Sequence, residues 1–232
     1  MEKFTKTGSC FSCNLKLNLF CYLTNDQLGN INTNRQEVDF KVGETIFKTG
    51  GPLTHIICII KGKVKVYLED NNQDKRILLS IVKPVQILGG PGFLVDDRHY
   101  ITVTALEDTK ACFVRIEDFK EAMRINPEFS MEFVKYLNGK IILQYEKILN
   151  LNNKQTHGKI ADTLLYLTDY VYNSDTFETS FSRQDFADMS AMTKESAIRV
   201  LKEFVDDGII ACDIHNFKIL NKEMLEKISK TG

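Results

Sequence analysis

Between Val38 and Val114 the chain alternates short β-rich runs with turns. The runs are His55-Ile56-Ile57-Cys58-Ile59-Ile60, Lys63 to Leu68, Arg76 to Ile81 and Ile101 to Ala105. Gly50-Gly51-Pro52, Lys61-Gly62, Asp70-Asn71-Asn72 and Gly89-Gly90-Pro91-Gly92 separate them with residues that accept the backbone angles of tight turns. Several short strands with regular turns predict an antiparallel sandwich or barrel. Val64, Val66 and Leu68 alternate with Lys63, Lys65 and Tyr67, which predicts one buried and one wetter face.

After Val114 the period becomes helical. Ile116 to about Asn126 suits a short helix, and Pro127 suits the first turn of a long one, where its missing N–H is not needed. Phe133, Leu137, Ile141, Gln144, Ile148 and Leu151 then recur at the spacing of a seam that meets a partner helix. A second stripe, Ile142, Tyr145 and Leu149, is expected against the β-domain. A helix apolar on two sides needs two partners. Both could lie inside one subunit, but the heptad spacing of the seam favours a second copy of the chain there. The polar stretch Leu151-Asn152-Asn153-Lys154-Gln155 suggests a hinge. Beyond it Ile160, Leu164, Leu167 and Val171 give one apolar face, and Asn173-Ser174-Asp175 breaks the helix.

Ser182-Arg183-Gln184-Asp185 has the form of an N-cap followed by an acidic residue at the third helical position. It opens a short helix carrying Phe186, Ala187 and Met189. Ser190-Ala191-Met192 makes a tight turn, Thr193 is a second N-cap, and Lys194 to Asp207 is the next helix. Ala197, Val200, Leu201, Phe204 and Val205 face inward at helical spacing, and Gly208 suits the stop. Two strands, Ile209 to Cys212 and Phe217 to Leu220, complete the order of a winged helix-turn-helix.

The outer side of that second helix carries Lys194, Glu195, Ser196 and Arg199, residue types that read bases from the N-terminus of a helix in the major groove. Arginine can donate two hydrogen bonds to guanine, and glutamate can accept one from cytosine. Ser182, Arg183, Thr193 and Ser196 can bind phosphate and fix register. A plain solvated face would carry only the Glu195 to Arg199 pair, so the order of elements is the more specific signal. Between Ser182 and Lys202, Arg183, Lys194, Arg199 and Lys202 stand against Asp185, Asp188 and Glu195. So thin a positive balance calls for two readers on one duplex, about 34 Å apart in a symmetric dimer.

Composition narrows the class. The 232 residues are 43% apolar and 26% charged, which is ordinary for a globular chain of one large domain or two small ones. Thirty basic residues against thirty-one acidic leave a net charge of -1, so a nucleic-acid partner must be met by a local surface. No stretch of eighteen apolar residues occurs, so no membrane span is expected. Met1 to Lys6 lacks the apolar core of a secretory signal, which points to the cytoplasm. Thiols stay reduced there, so six cysteines suggest metal or redox chemistry, or core filling. No paired carboxylates, Ser/His/Asp set or Gly-Lys-Ser/Thr phosphate loop occurs, and no enzyme is expected.

The sequence resembles the CRP/FNR family of bacterial transcription regulators over almost its whole length. Val42-Gly43-Glu44-Thr45-Ile46-Phe47, then Gly50-x-Pro52, then Ile59-x-x-Gly62-x-Val64-Lys65-Val66, is similar to the family's β-roll glycine pattern. Ser182-Arg183-Gln184-Asp185 through Thr193-Lys194-Glu195-Ser196-Ala197-Ile198-Arg199 resembles its DNA-reading motif. The resemblance implies an α+β protein. Its parts would be a cysteine-containing segment and a β-roll like the cyclic-nucleotide-binding jelly roll (1–126), a dimerisation helix and hinge (127–153), and a winged helix-turn-helix (154–232). It implies that Glu195 and Arg199 contact bases, that Ile141, Gln144 and Ile148 lie in the dimer helix, and that the partners are double-stranded promoter DNA, a second copy of the chain and RNA polymerase.

The family's cyclic-nucleotide branch uses a glutamate on the ribose and an Arg-Ser pair at the cyclic phosphate. Here a glycine or proline of Gly89 to Gly92 and His99-Tyr100 occupy those positions, with Arg98 one residue away. An anionic phosphate cannot be buried without a paired cation, so no cyclic nucleotide is expected. The oxygen-sensing branch holds an iron–sulfur cluster with three N-terminal cysteines and one in the β-roll. The resemblance assigns Cys10, Cys13, Cys21 and Cys112 to a 4Fe–4S cluster, four thiolates being its usual donor set. Ala105 to Cys112 is very similar to the branch's fourth-cysteine segment. Seven residues separate Cys13 from Cys21, where the best-known pattern has five.

Plainer readings stay open. Cys21 after Phe20 could be a buried small hydrophobe, Cys112 a core residue, and Cys10 with Cys13 a zinc site or nothing. Cys58 in an apolar run and Cys212 in the wing are taken as structural. If the cluster exists, it would order the N-terminal segment against the dimer helix, and its loss to oxygen would favour monomers. In the oxygen sensor the position of Gln144 carries an aspartate that repels its counterpart. A neutral glutamine removes that repulsion and would let this chain dimerise without a cluster, responding weakly or to another signal. Two other classes are a cupin-like metalloenzyme and a dimerising scaffold. The first needs clustered histidines, whereas His55, His99, His157 and His215 are scattered. The second has no use for the Thr193 to Arg199 face.

Overall fold

The computed structural model describes residues 4–5, 8–13, 18–70, 75–88 and 90–232. Of the expected turns, Asn71, Asn72 and Gly89 lie outside the described residues, as do Met1 to Lys3 and Lys6 of the N-terminal stretch. The chain divides into two compact units, Met1–Glu69 with Ile81–Leu143, and Asp70–Ser80 with Gln144–Gly232.

The strands are β1 (Phe4–Thr5), β2 (Gln36–Phe40), β3 (Thr45–Phe47), β4 (His55–Lys61), β5 (Val64–Asp70), β6 (Lys75–Val82), β7 (Gln86–Leu88), β8 (Thr102–Ala105) and β9 (Thr109–Arg115). They form two sheets, in the orders β1-β2-β9-β4-β7 and β3-β8-β5-β6. The expected antiparallel β architecture is therefore present. β4 lies between β9 and β7 and is buried on both faces from Ile56 to Ile59, with Ile56 and Cys58 facing the core that the helices share. Gly62 turns the chain from β4 to β5 at φ +81°, and a Cβ there would meet the Asp108 carbonyl oxygen at 2.5 Å. The alternation in β5 departs from expectation at its end. Tyr67 is 2% exposed and Leu68 is 46% exposed, so the ring takes the inside place.

Helix α1 (Asn25–Asn34) was not anticipated from the pattern; Thr24 and Gln27 close it with a reciprocal capping box. Helices α2 (Ile116–Ile125) and α3 (Pro127–Asn153) begin where the period changes. The Asn126 side chain accepts from the Phe129 N–H at 3.0 Å and Pro127 opens the first turn of α3. α1, α2 and the start of α3 share a core with one face of the first sheet. It contains Leu28, Ile31, Ile56, Cys58, Cys112, Val114, Phe119, Phe129 and Phe133. Phe20, on a 3-10 turn at Asn18–Tyr22, stacks on Phe129 at 6.4 Å and meets Phe119 edge-on at 6.5 Å.

Only the first part of α3 is covered. Phe129 and Phe133 are buried, and Tyr136 and Leu137 pack against the same core. Of the second stripe, Ile142, Tyr145 and Leu149 are 57%, 62% and 59% exposed. The helix also runs through the expected hinge as far as Asn153, because nothing before Lys154 breaks its hydrogen-bond ladder.

In the second unit α4 (Thr156–Leu165) passes into a π-helical turn, Tyr166–Tyr172. Ile160, Leu164, Leu167 and Val171 are buried as expected. The remaining elements are β10 (Thr176–Glu178), α5 (Arg183–Ser190), α6 (Lys194–Asp206), β11 (Ile210–Cys212), β12 (Asn216–Ile219) and α7 (Lys222–Thr231). β10 joins the two expected wing strands in a sheet of order β10-β12-β11. Val205 is not inward as expected but 37% exposed, while Ala197, Val200, Leu201 and Phe204 are buried.

Candidate nucleic-acid interface and thiol site

The first site is built by two caps and a turn. The Ser182 hydroxyl accepts from the Asp185 N–H at 3.1 Å, and the Asp185 carboxylate accepts from the Ser182 N–H at 2.8 Å, which fixes the start of α5. Ala191 adopts the left-handed conformation (φ 49°) that turns the chain. Thr193 then caps α6, its hydroxyl accepting from the Ser196 N–H at 3.2 Å. Gly208, at φ +67°, ends the helix region. The buried row of Ala197, Val200, Leu201 and Phe204 sets the rotation of α6. Thr193, Lys194, Glu195 and Arg199 are consequently exposed and Ser196 half-buried. Among the described residues no ion pair engages Lys194, Glu195 or Arg199.

Arg183 is placed differently from the other candidates. Its guanidinium donates to the Asp213 carbonyl oxygen at 2.7 Å and lies 5.1 Å from the centre of the Phe217 ring. It thus ties α5 to the wing. Its Nη1 is buried without a partner among the described residues. At the wing tip Asp213 accepts from the Asn216 backbone N–H at 2.7 Å and the His215 N–H at 2.9 Å. Those bonds, Asn216 first, pull its pKa down to about 2.

The second site is a cavity of about 260 Å³ beside the first sheet. Cys10, Cys13, Cys58 and Cys112 line it, together with Phe20, Arg35 and Glu37. Cys58 and Cys112 are directly opposite each other across β4 and β9. Cys10 and Cys13 sit on the turn at 8–13, where the Cys10 N–H donates to the Asn32 side-chain oxygen at 2.9 Å. Arg35 is buried and holds the site together. It donates to Glu37 at 2.6 Å, to the Gly8 carbonyl oxygen at 2.7 Å and to the Cys112 sulfur at 3.7 Å. Burial pulls its pKa down, but the Glu37 hydrogen bond and the neighbouring thiols outweigh that and hold it above its ordinary value. Burial pushes the Cys112 thiol up to about 11 despite Arg35, and pushes Cys58 well up.

Of the four expected ligands, the fold brings together Cys10, Cys13 and Cys112 but not Cys21. That residue is exposed and does not line the cavity, so it is not a buried small hydrophobe either. Cys58 takes a place at the site that its apolar surroundings had hidden. Among the described residues no three such donors converge tightly enough to grip a single metal ion, and no disulfide forms among the six cysteines.

The segment matching a nucleotide cassette carries Asp96 and Asp97. Tyr100 donates to Asp96 at 2.8 Å, Lys120 pairs with Asp97 at 2.5 Å, and exposed Arg98 donates to the Gly50 carbonyl oxygen at 2.9 Å. His99 is buried against Phe47, with 3.8 Å between ring centres, and burial lowers its pKa. On the dimer helix Ile141 and Ile148 are exposed and Gln144 is half-buried.

Residues 37–126 match the cyclic nucleotide-binding domain family, and residues 158–228 match the Crp-like helix-turn-helix domain family. The chain is 21% identical over 198 residues to the transcriptional regulatory protein btr of Bordetella pertussis, covering 84% of this chain and 81% of that protein. It is 23% identical over 171 residues to the cAMP-activated global transcriptional regulator CRP of Salmonella typhimurium, covering 72% and 81%. A solved CRP/FNR-family regulator from Eubacterium rectale shares the fold with a TM-score of 0.79 at 17% identity, over 93% of this chain and 99% of that one. A β-roll, a long helix and a Crp-like reader in this order define a DNA-binding transcription regulator. The chain belongs to the CRP/FNR family. No helix among the described residues is long and apolar enough to cross a membrane.

Proposed function

We propose that two copies of this chain pair along α3, read promoter DNA with α6, and are controlled by redox or oxygen state through a 4Fe–4S cluster at the thiol cavity. The observation that carries the DNA reading is the capped N-terminus of α6, which presents Lys194, Glu195 and Arg199 to solvent without ion pairs among the described residues. Arg199 donates to a guanine edge and Glu195 accepts from a cytosine. Ser182, Thr193 and Ser196 hold phosphates, while Arg183 orients the wing rather than spending its whole charge on the duplex. The apolar residues left exposed on α3, Ile141 and Ile148 among them, support the pairing. RNA polymerase is the further partner expected of a promoter regulator.

Cys10, Cys13 and Cys112 fit the cluster. They share one cavity with a buried cation, and a cluster spreads its thiolates over several irons, so they need not converge on one ion. When bound by these thiolates, a cluster would supply an oxygen-labile cross-link between the N-terminal turn and the sheet. Phe20 passes the effect on, since it lines the cavity and stacks on Phe129 at the start of α3. The switch can be no stronger than the difference in cluster affinity between paired and unpaired chains. No cyclic nucleotide is proposed as the signal. His99 and Tyr100 stand where the family's Arg-Ser pair would meet its phosphate, and no buried cation among residues 90–100 replaces that pair, Arg98 being exposed.

Selection from a randomised duplex library under anaerobic conditions tests the reading. The enriched site is expected to hold two half-sites about 34 Å apart. A library that stays random overturns the DNA-reading function, and anaerobically purified protein without iron overturns the cluster.

A further inference from the structure

We infer that the fourth ligand at the thiol cavity is Cys58 of β4, and that Cys21 is not a ligand. The inference rests on the cluster reading above and deepens it. Cys58 and Cys112 occupy directly opposed positions of β4 and β9, on the sheet face that α1, α2 and α3 cover. Cys10 and Cys13 lie on the turn that completes the lining of the same cavity. That turn is anchored from two sides, by Asn32 on the Cys10 N–H and by Arg35 on the Gly8 carbonyl oxygen. The two strand cysteines are therefore fixed by the sheet, and the two turn cysteines are held at the solvent edge, with Cys13 exposed.

Cys21 is excluded by its own neighbours. Leu19 and Phe20 are buried, and they fix the rotation of the 3-10 turn so that Cys21 is exposed. Bringing the Cys21 sulfur into the cavity would roll that turn and withdraw Phe20 from Phe119 and Phe129. Cys58 already lines the cavity, opposite Cys112. Charge favours the same set. Four thiolates around a ferric–ferrous cluster leave it anionic, and an anion is retained in a half-closed apolar site only beside a cation. Arg35, with 4% of its side chain exposed, places a cation next to Cys112, and Lys110 shares the balancing of its partner Glu37.

The test loads the full chain anaerobically with ferrous iron and sulfide under reducing conditions. It compares wild type with Cys21→Ser, Cys58→Ser and Cys58→Ala. Iron, acid-labile sulfide, visible absorbance and Mössbauer spectra are the readouts. Wild type and Cys21→Ser are expected to bind about four irons each with the same spectrum. Both Cys58 variants are expected to lose at least half of the iron. Cys58 variants that keep the wild-type spectrum while Cys21→Ser loses it overturn the ligand assignment and leave the cluster reading standing. Iron-free wild type overturns the cluster reading itself, and the assignment with it. Because a buried substitution can perturb folding, wild-type protein supplies a second readout. Cys21 is expected to react with iodoacetamide at the same rate before and after loading, while Cys10 and Cys13 become at least tenfold slower. Protection of Cys21 on loading overturns the assignment without any variant.

Discussion

Replacing Arg35 by methionine would remove the buried cation of the thiol cavity while keeping much of its volume. The Arg35 and Glu37 side chains are 4% and 5% exposed and 2.6 Å apart. Without the guanidinium, Glu37 loses its 2.6 Å partner, and Lys110, at 3.7 Å and itself 27% exposed, is a weaker counter-ion. Breaking such a pair from one side costs about 3–5 kcal/mol, because it strands a charge out of water. Three further bonds go with it, to the Asn32 side-chain oxygen, the Gly8 carbonyl oxygen and the Cys112 sulfur. With a urea dependence of about 1–3 kcal/mol/M, the unfolding midpoint of the first unit should fall by more than about 1 M. Far-UV circular dichroism of iron-free protein at neutral pH measures it. Arg35→Met/Glu37→Met should lie nearer to wild type than Arg35→Met, since the stranded carboxylate is gone. A loss below about 1 kcal/mol in the single variant, or strictly additive losses in the double, would refute the assigned role of the pair.

Ser182→Ala should destabilise the second unit by about 1 kcal/mol through loss of the cap on α5, and thermal unfolding would check it. In iron-free protein at pH 8, Cys13 and Cys21 should be alkylated well before Cys58 and Cys112, because burial both shields those thiols and holds Cys112 up at about 11; equal rates in quantitative mass spectrometry would contradict the burial described. Asp213 should titrate near 2 by carbon NMR. Its carboxylate is depressed from 3.8, so the wing-tip turn keeps its stabilisation above that ordinary value and loses it as pH falls toward 2. A midpoint at the ordinary value would mean that the Asn216 and His215 bonds do not form in solution.

What was legible in the sequence depended on local chemistry. α5 and α6 could be placed because Ser182 and Thr193 are caps whose partners lie three residues on. The strands could be placed because turn residues bound them. Pairing across the sheet could not be read, and that is why Cys58 passed for core filling. Only the register that sets it opposite Cys112 gives it a site. The wing contacts of Arg183 could not be read for a similar reason, since its partner Asp213 arrives thirty residues later. β10 has one buried residue, Phe177, too little pattern to announce a strand. The exposure of Cys21 follows from Phe20 finding Phe119 and Phe129, a packing choice that spacing alone does not encode.

Whether α6 reads DNA is decided by the affinity of Arg199→Ala, against wild type, for the selected duplex and for each single base-pair change in it. A loss of about 1–3 kcal/mol on the selected site and relaxed preference at one base pair in each half-site are expected. Unchanged affinity with every preference intact would contradict α6 as the element that reads DNA.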